Sequence, residues 1–140
     1  ETMAAATRNE NVTFFVMNNT VYGMTGGQMA PTTMIGQRTT SSKDGRILAD
    51  SGENFDVVKI MRGLAIAYLA RTSVTNPANV AKTKKYVRKA LEKQRDCKGF
   101  SLVEVLVPCP TNWGMTPPKS MEYINDVMTK QYELGEFIDR

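Results

Sequence analysis

The feature that most constrains the fold is the alternation of short apolar runs with helix-like segments. Three runs are rich in β-branched and aromatic residues, as buried strands are: Val12 to Met17, Ile66 to Thr72 and Phe100 to Val107. A helix-like segment lies between each run and the next. This alternation is typical of parallel sheets whose strands are joined by right-handed crossovers. The sequence therefore predicts an α/β fold, with a mostly parallel sheet and flanking helices.

Four segments have the residue spacing or the end signals of helices. Apolar residues recur at helical spacing from Phe55 to Leu64. Thr75 or Asn76 can cap the next helix, and Pro77 suits its first turn. Gly99 is expected to end it. Two further helices are predicted, at Met3 to Arg8 and from Ser120 or Met121 to Lys130.

Length and composition limit the chain to one domain or part of one. It has 140 residues, of which 41% are hydrophobic, which is enough for a core. No apolar run is long enough to span a membrane. The net charge is +4, and much of the basic excess lies from Lys82 to Arg95, on a helix face that we expect to be solvated. A patch for an acidic partner or nucleic acid is the less favoured alternative, so we expect no nucleic acid and no membrane among the partners.

The chain contains no histidine and two cysteines, Cys97 and Cys109. Without histidine it cannot form a Ser-His or Cys-His nucleophile or a histidine metal site. An enzyme built on this chain therefore needs a cofactor or another chain for much of its chemistry. Only two cysteines, without a secretory signal, predict a reducing compartment, the cytoplasm, and no disulfide.

The uncharged stretch "NNTVYGMTGGQMAPTT", residues 18–33, follows the first predicted strand directly. Ligands of open α/β sheets bind beyond the carboxyl ends of the strands. The amide oxygen of Asn19 and the carbonyl oxygen of Val21 are hard ligands suited to Mg²⁺. Glycines 23, 26 and 27 allow close backbone approach and N–H donation to an anion. The stretch is thus suited to a metal–diphosphate, although an ordinary Asn- and Gly-rich turn is the alternative.

Two longer strings extend this hypothesis. "NVTFFVMNNTVYGMTGGQMAPTT" and "FSLVEVLVPCPTNWGMTP", with the tail "YELGEF", resemble the thiamine-diphosphate-binding β subunit of 2-oxoacid:ferredoxin oxidoreductases, in the 2-ketoisovalerate and 2-oxoglutarate branch. The resemblance covers essentially the whole chain. It implies that residues 1–140 are the C-terminal portion of a single thiamine-diphosphate-binding domain. The family's Gly-Asp-Gly motif, whose Asp is a metal ligand, is absent here and is expected upstream of Glu1.

The resemblance also implies roles for residues of the uncharged stretch. Asn18 and Asn19 correspond to the end of the family's diphosphate motif. Asn19 would be a side-chain ligand of Mg²⁺, and Val21 a carbonyl ligand. Met24 would lie near the thiazolium. Residues implied to line the diphosphate and the reacting face are Thr25, Gly26, Gly27 and Gln28.

Cys109 lies in a Pro-Cys-Pro-Thr context just after the third predicted strand. Cys-Pro recurs at iron–sulfur ligands. Some β subunits of the family hold a cluster with three N-terminal cysteines, absent here, and a later one in this context. The resemblance therefore implies that Cys109 is a cluster ligand in the complete protein, while a buried core cysteine is the alternative. Cys97 lacks such a context and is expected to be a free thiol.

The activity implied by the resemblance is oxidative decarboxylation of a 2-oxoacid to an acyl-coenzyme A, with ferredoxin as electron acceptor. Thiamine diphosphate, Mg²⁺ and an iron–sulfur cluster would be the cofactors. The α and other subunits would be partners, one of which supplies the acid that activates the cofactor. Gly26, where some relatives carry Lys, favours the branched-chain acid 2-ketoisovalerate over 2-oxoglutarate or pyruvate. We expect the isolated residues 1–140 to be inactive.

Two alternatives from other functional classes remain at this point. The chain could be a non-catalytic structural or interaction fragment, because the Gly-Asp-Gly motif is absent. The tripeptide Gly26 to Gln28 also occurs in peptide-chain release factors, but those carry it on a strongly basic RNA-binding protein. Side chains expected to pack rather than to bind are Phe14, Phe15, Met17, Met29 and Met34, while Tyr22 suits either the core or a cofactor wall.

Overall fold

The computed structural model covers residues 1–140. Its strands are β1 (Thr13–Asn18), β2 (Val21–Tyr22), β3 (Gln28–Met29), β4 (Tyr68–Ser73), β5 (Ser101–Leu106) and β6 (Gly135–Asp139). Its helices are α1 (Thr2–Thr7), α2 (Leu48–Ser51), α3 (Val57–Met61), α4 (Pro77–Arg95), α5 (Pro110–Trp113), α6 (Pro117–Tyr123) and α7 (Thr129–Gln131). A π-helical turn, Ile124–Met128, joins the last two helices.

The main sheet has four strands in the order β1, β5, β4, β6. Strands β1 and β4 both run parallel to β5, which confirms the mostly parallel sheet. In the register, Leu106 pairs with Asn18 on one side and with Ser73 on the other. The three parallel strands therefore end at the same edge, from which the uncharged stretch departs.

Local signals explain where the longer helices begin. The Asn76 side chain accepts a hydrogen bond from the N–H of Asn79 at 2.9 Å, so that Asn76 is the N-cap of α4 and Pro77 its first residue. Asp56 caps α3 in the same way, accepting from the N–H of Lys59 at 3.0 Å. Helix α4 ends at Arg95, four residues before Gly99, which was expected to end it.

Gly99 has a different role from the one expected. Its φ of +111° is in the region that side chains disfavour, and a Cβ there would lie 2.4 Å from the side chain of Asn9. The Asn9 Oδ1 accepts the N–H of Phe100 at 2.9 Å. Gly99 thus allows Asn9 to approach the backbone where β5 begins.

The hydrophobic core lies on both faces of the sheet and beyond its carboxyl edge. One face packs against α1 and α3 through Ala5, Ala6, Val57, Val58, Met61, Ile66, Leu69, Phe100 and Leu102. The other face packs against α4 through Tyr68, Ala70, Ala90, Val103 and Val105. The third group, Met34, Leu106, Ile124, Met128 and Tyr132, anchors the C-terminal helices beside the uncharged stretch.

Several sequence predictions are wrong in detail. Strand β6 was not predicted, and it pairs antiparallel with β4. The helix expected from Phe55 to Leu64 forms only over Val57–Met61, and the last helical segment begins at Pro117. The uncharged stretch after β1 contains the hairpin of β2 and β3, which was not predicted either.

The expected packing residues divide between core and surface. Phe14 stacks on Phe100 with ring centroids 5.3 Å apart, and Met34 is buried. Phe15 and Met17 pair with Val103 and Val105 and so share the α4 face of the sheet, but they are 40% and 57% exposed because β1 is an edge strand. Tyr22 is also exposed, so it is no core residue. No helix is both long and apolar enough to cross a bilayer.

Candidate functional site

The site begins where β1 ends, at the buried residue Asn18. Its Nδ2 donates to Glu104 Oε1 at 2.7 Å, and its Oδ1 accepts the N–H of Thr20 at 2.9 Å. Both ends of the amide are therefore engaged within the protein. Asn18 therefore stabilises the turn through hydrogen bonds within the protein and has no side-chain group left for a ligand.

The next turn is built on an unusual backbone conformation at Thr20, whose φ is +62°. A β-branched residue is strained there, by roughly 1–3 kcal/mol. Two neighbours hold it in place: Thr33 Oγ1 donates to the Thr20 carbonyl at 2.5 Å, and Gln37 Nε2 donates to Thr20 Oγ1 at 2.7 Å. This turn separates the two expected metal ligands, Asn19 and Val21.

Asn19 keeps its side-chain oxygen largely available. Asn19 Oδ1 accepts only a long hydrogen bond, 3.3 Å, from the N–H of Val21. The Asn19 backbone carbonyl accepts from Trp113 Nε1 at 3.2 Å and from Thr20 Oγ1 at 2.7 Å. The backbone of Asn19 is thus fixed while its amide oxygen has free lone pairs, as a metal ligand requires.

The hairpin of β2 and β3 presents its tip to solvent, with Met24 fully exposed. The N–H groups of Gly26 and Gly27 donate within the tip, to the carbonyls of Gly23 and Tyr22. They are therefore not free for an anion, contrary to the expectation from the sequence. The N–H groups of Gly23, Met24 and Thr25 have no acceptor in the protein, and they are the available donors.

Thr25 and Gln28 pair with each other across this tip. Thr25 Oγ1 donates to Gln28 Oε1 at 2.6 Å, and Gln28 Nε2 donates to the Thr25 carbonyl at 2.7 Å. The two side chains hold the tip closed between them. A ligand that contacts either side chain has to share or replace one of these hydrogen bonds.

Helix α5 clamps the hairpin tip from the opposite side. Asn112 Nδ2 donates to the carbonyl of Gly23 at 3.2 Å and lies 3.1 Å from Cys109 Sγ. A Cβ on Gly27 would lie 2.9 Å from Asn112 Oδ1, and a Cβ on Gly23 would lie 3.5 Å from Cys109 Sγ. Glycine is therefore needed at position 27 for the close approach, and Cys109 lies directly against the uncharged stretch.

Asn112 and Trp113 were missed by the sequence interpretation. Their only signal was their place in "PCPTNWGM", directly after Cys109. Cys109 itself is partly buried and has no disulfide partner. Cys97 lies in an exposed turn and has no disulfide partner, in agreement with a free thiol.

A buried group of charges, also missed, lies beneath the site. Arg71 contacts both Glu104 and Asp56, and Glu104 contacts Asn18. Burial raises the pKa of Glu104, with Arg71 and Asn18 opposing the rise. Burial would also raise the pKa of Asp56, but hydrogen bonds from Arg71 and from the Lys59 backbone hold it below its usual value.

The chain's acidic residues and cysteines form no metal site of their own, since no three of them cluster. The oxygen donors at the hairpin are an amide and backbone carbonyls. Such a set is weak for an isolated cation and suits one that brings phosphate oxygens with it. The geometry thus favours a metal–diphosphate over a bare metal ion.

Comparison with known proteins decides the family. The family model for the thiamine pyrophosphate enzyme, C-terminal TPP binding domain, matches residues 1–105. The chain belongs to this family. Thiamine pyrophosphate is thiamine diphosphate, so the cofactor implied by the resemblance is confirmed.

The thiamine pyrophosphate enzyme domain seen here has relatives among 2-oxoacid oxidoreductases. It is 41% identical, over 100% of this chain, to the ketoisovalerate oxidoreductase subunit VorA of Methanothermobacter marburgensis, and it covers 30% of that protein. It is 34% identical over 87% of this chain to the 2-oxoglutarate synthase subunit KorB of Archaeoglobus fulgidus, covering 42% of that protein. The chain therefore spans less than half the length of these relatives.

A solved structure shows the same fold. It is a 2-oxoglutarate:ferredoxin oxidoreductase from Magnetococcus marinus with 2-oxoglutarate, coenzyme A and succinyl-CoA bound. The TM-score is 0.75 at 19% identity, and the match covers 99% of this chain and 50% of that one. The mostly parallel sheet with flanking helices is therefore shared with the matched half of that structure.

Proposed function

We propose that residues 1–140 are the C-terminal portion of the thiamine-diphosphate-binding domain in the β subunit of a 2-oxoacid:ferredoxin oxidoreductase. The main support for the proposal is the hairpin after β1, which has a largely free amide oxygen at Asn19 and free backbone N–H groups at its tip. The chain also belongs to the thiamine pyrophosphate enzyme family. The identity of 41% to a ketoisovalerate oxidoreductase subunit supports 2-ketoisovalerate as the substrate. 2-Oxoglutarate is the second candidate, supported by the KorB relative.

In this proposal the chain's own residues hold and orient the cofactor. Asn19 Oδ1 and the Val21 carbonyl bind Mg²⁺, and the N–H groups of Met24 and Thr25 donate to the diphosphate. Met24, with its exposed side chain, covers the thiazolium side. Gly26, Gly27 and Gln28 line the face where the substrate approaches. When bound, thiamine diphosphate supplies the electron sink for decarboxylation.

The partners follow from the same proposal. Other subunits, the α subunit among them, complete the site and supply the acid that activates the cofactor. Ferredoxin accepts the electrons through iron–sulfur clusters, and coenzyme A accepts the acyl group. Cys109 is a ligand of one cluster. Its sulfur lies beside Gly23 of the hairpin and has no disulfide partner, so it would be available to such a cluster.

The test is a decarboxylation assay with the assembled complex. 2-Ketoisovalerate, 2-oxoglutarate and pyruvate are compared in the presence of coenzyme A and a viologen acceptor. We expect turnover that depends on thiamine diphosphate and Mg²⁺ and is fastest on 2-ketoisovalerate. The isolated residues 1–140 should give none. A complex without activity on any 2-oxoacid would favour the non-catalytic fragment instead.

A further inference from the structure

The long segment between β1 and α3 starts and finishes at the same buried group of charges. Asn18, the last residue of β1, donates to Glu104 at 2.7 Å. Asp56, the N-cap of α3, contacts Arg71. Glu104 and Arg71 face each other across β5 and β4 and are joined by a hydrogen bond of 2.5 Å. Asn18, Glu104, Arg71 and Asp56, here called the base network, thus tie the two ends of the segment together.

The base network is shielded from water at its centre. Glu104 is 0% exposed and Arg71 1% exposed. The Arg71 guanidinium also lies 5.0 Å from the ring centroid of Tyr132. The Tyr132 hydroxyl donates to the Thr32 carbonyl at 2.6 Å and accepts from Asn54 at 2.8 Å. A second set of contacts therefore connects the network to the middle and the end of the same segment.

Stability alone does not account for such a network. Replacing a buried ion pair by apolar residues is often neutral or stabilising, because desolvation offsets the attraction. The distinctive effect of the network here is on the orientation of the Asn18 amide. The Glu104 carboxylate can only accept a hydrogen bond, so the Asn18 amide must turn its Nδ2 toward Glu104. Asn18 Oδ1 then faces Thr20, where it accepts the N–H of the residue with positive φ.

We propose that Glu104 and Arg71 are positioning residues for the cofactor. They fix the orientation of the Asn18 amide, which holds Thr20 in its strained conformation and so sets the direction of Asn19 Oδ1. This inference rests on the proposed function, because it concerns the same metal–diphosphate site. Neither Glu104 nor Arg71 contacts the ligand in this role.

The test exchanges donor and acceptor between positions 18 and 104. In Glu104→Gln, one amide oxygen faces two donors, Arg71 and Asn18, and one of the two loses its partner. In Asn18→Asp, two carboxylates face each other. In the double variant the new amide donates to the new carboxylate, Arg71 and the Thr20 N–H keep their acceptors, and the total charge is unchanged. The double variant should therefore recover what each single variant loses.

The measurements are made on the assembled complex that contains the full-length subunit. Calorimetry gives the affinity for Mg²⁺–thiamine diphosphate. Hydrogen exchange without cofactor reports the mobility of residues 19–55. We expect each single variant to lose about 10- to 100-fold in affinity, the range for groups that orient metal ligands, with faster exchange confined to that segment. The double variant should return to within about fivefold of the wild type.

Lys89→Met is the matched control. It breaks ion pairs of 2.9 and 2.8 Å with Glu136 and Asp139, next to β4 but away from the segment. It should leave cofactor affinity and exchange of residues 19–55 unchanged. If Glu104→Gln does not assemble, Asn18→Ala removes the amide while leaving the Glu104–Arg71 pair intact, and it should show the same loosening and loss of affinity.

The outcomes separate this inference from the proposed function. A wild-type complex that does not bind Mg²⁺–thiamine diphosphate would refute the proposed function itself. If the wild type binds the cofactor and each single variant equals it in affinity and in hydrogen exchange, the positioning role alone is overturned. A double variant whose cofactor affinity is no higher than that of the weaker-binding single variant would overturn it too. Glu104 would then not act through Asn18.

Discussion

At the scale of single residues, the two cysteines have different surroundings and should respond differently to substitution. Cys109 lies against Gly23 beneath the hairpin, and Cys97 lies in an exposed turn at φ +53°. In the assembled complex, Cys109→Ala should lower the iron content or shift the potential of one cluster, because cluster irons need thiolate ligands. Iron analysis and electron paramagnetic resonance measure both.

Cys97→Ala is the control for this prediction and should match the wild type in iron content and spectrum. If the two variants give identical spectra, Cys109 is no cluster ligand but a partly buried structural cysteine, the alternative given in the sequence analysis. The Asn112 contact to Cys109 Sγ at 3.1 Å would then be a packing contact only.

Residue types were easier to predict than residue conformations. The sequence indicated an amide oxygen at Asn19 because Asn follows a strand directly. It gave no sign that Thr20 has a positive φ, since β-branched residues rarely adopt one. That conformation depends on Thr33 and Gln37, which are 13 and 17 residues away in the chain. The sequence likewise gave no sign that the N–H groups of Gly26 and Gly27 would be hydrogen-bonded within the hairpin tip.

At the scale of elements, α5 should contribute measurably to the site although it is only one turn long. Trp113 Nε1 donates to the Asn19 carbonyl at 3.2 Å, and its ring packs on Tyr123 at 5.2 Å. Trp113→Phe removes the donor and keeps an aromatic ring. We expect a loss of roughly 2- to 10-fold in cofactor affinity, the equivalent of one hydrogen bond of about 0.5–1.5 kcal/mol. Calorimetry on the complex measures it.

Tyr123→Phe is the matched control, because it alters the same aromatic pair but removes a hydroxyl that is not hydrogen-bonded to α5 or to the hairpin. Its affinity should equal that of the wild type. If both substitutions weaken binding equally, the loss of affinity does not come from the indole N–H of Trp113.

Elements with local signals were predictable, and those formed by tertiary contacts were not. The start of α4 followed from Asn76 and Pro77. Strand β6 lacks a run of β-branched residues, and it forms by pairing with β4. Lys89 joins it to α4 through Glu136 and Asp139. The pKa of Asp139 lies below its usual value because Lys89, and then Lys93, donate to it.

At the scale of the whole molecule, the sheet separates a buried centre from an open edge. Every residue of β4 and β5 is buried, while β1 has β5 as its only neighbour and exposes Phe15 and Met17. The alternation of runs predicted the parallel centre. It did not distinguish edge from centre, because an apolar run looks the same whether its neighbour is in this chain or another. Exposed apolar residues on an edge strand favour association.

The most direct test of the account is calorimetry of thiamine diphosphate binding to the assembled complex, with Mg²⁺ and with a chelator. The wild type should bind only with Mg²⁺. Asn19→Ala should lose at least about 10- to 100-fold in affinity, because a near-octahedral ion loses a hard oxygen ligand. Asn19→Asp keeps such an oxygen and should stay within about tenfold of the wild type. Equal affinity of Asn19→Ala and the wild type would contradict the assignment of the uncharged stretch as the metal–diphosphate site.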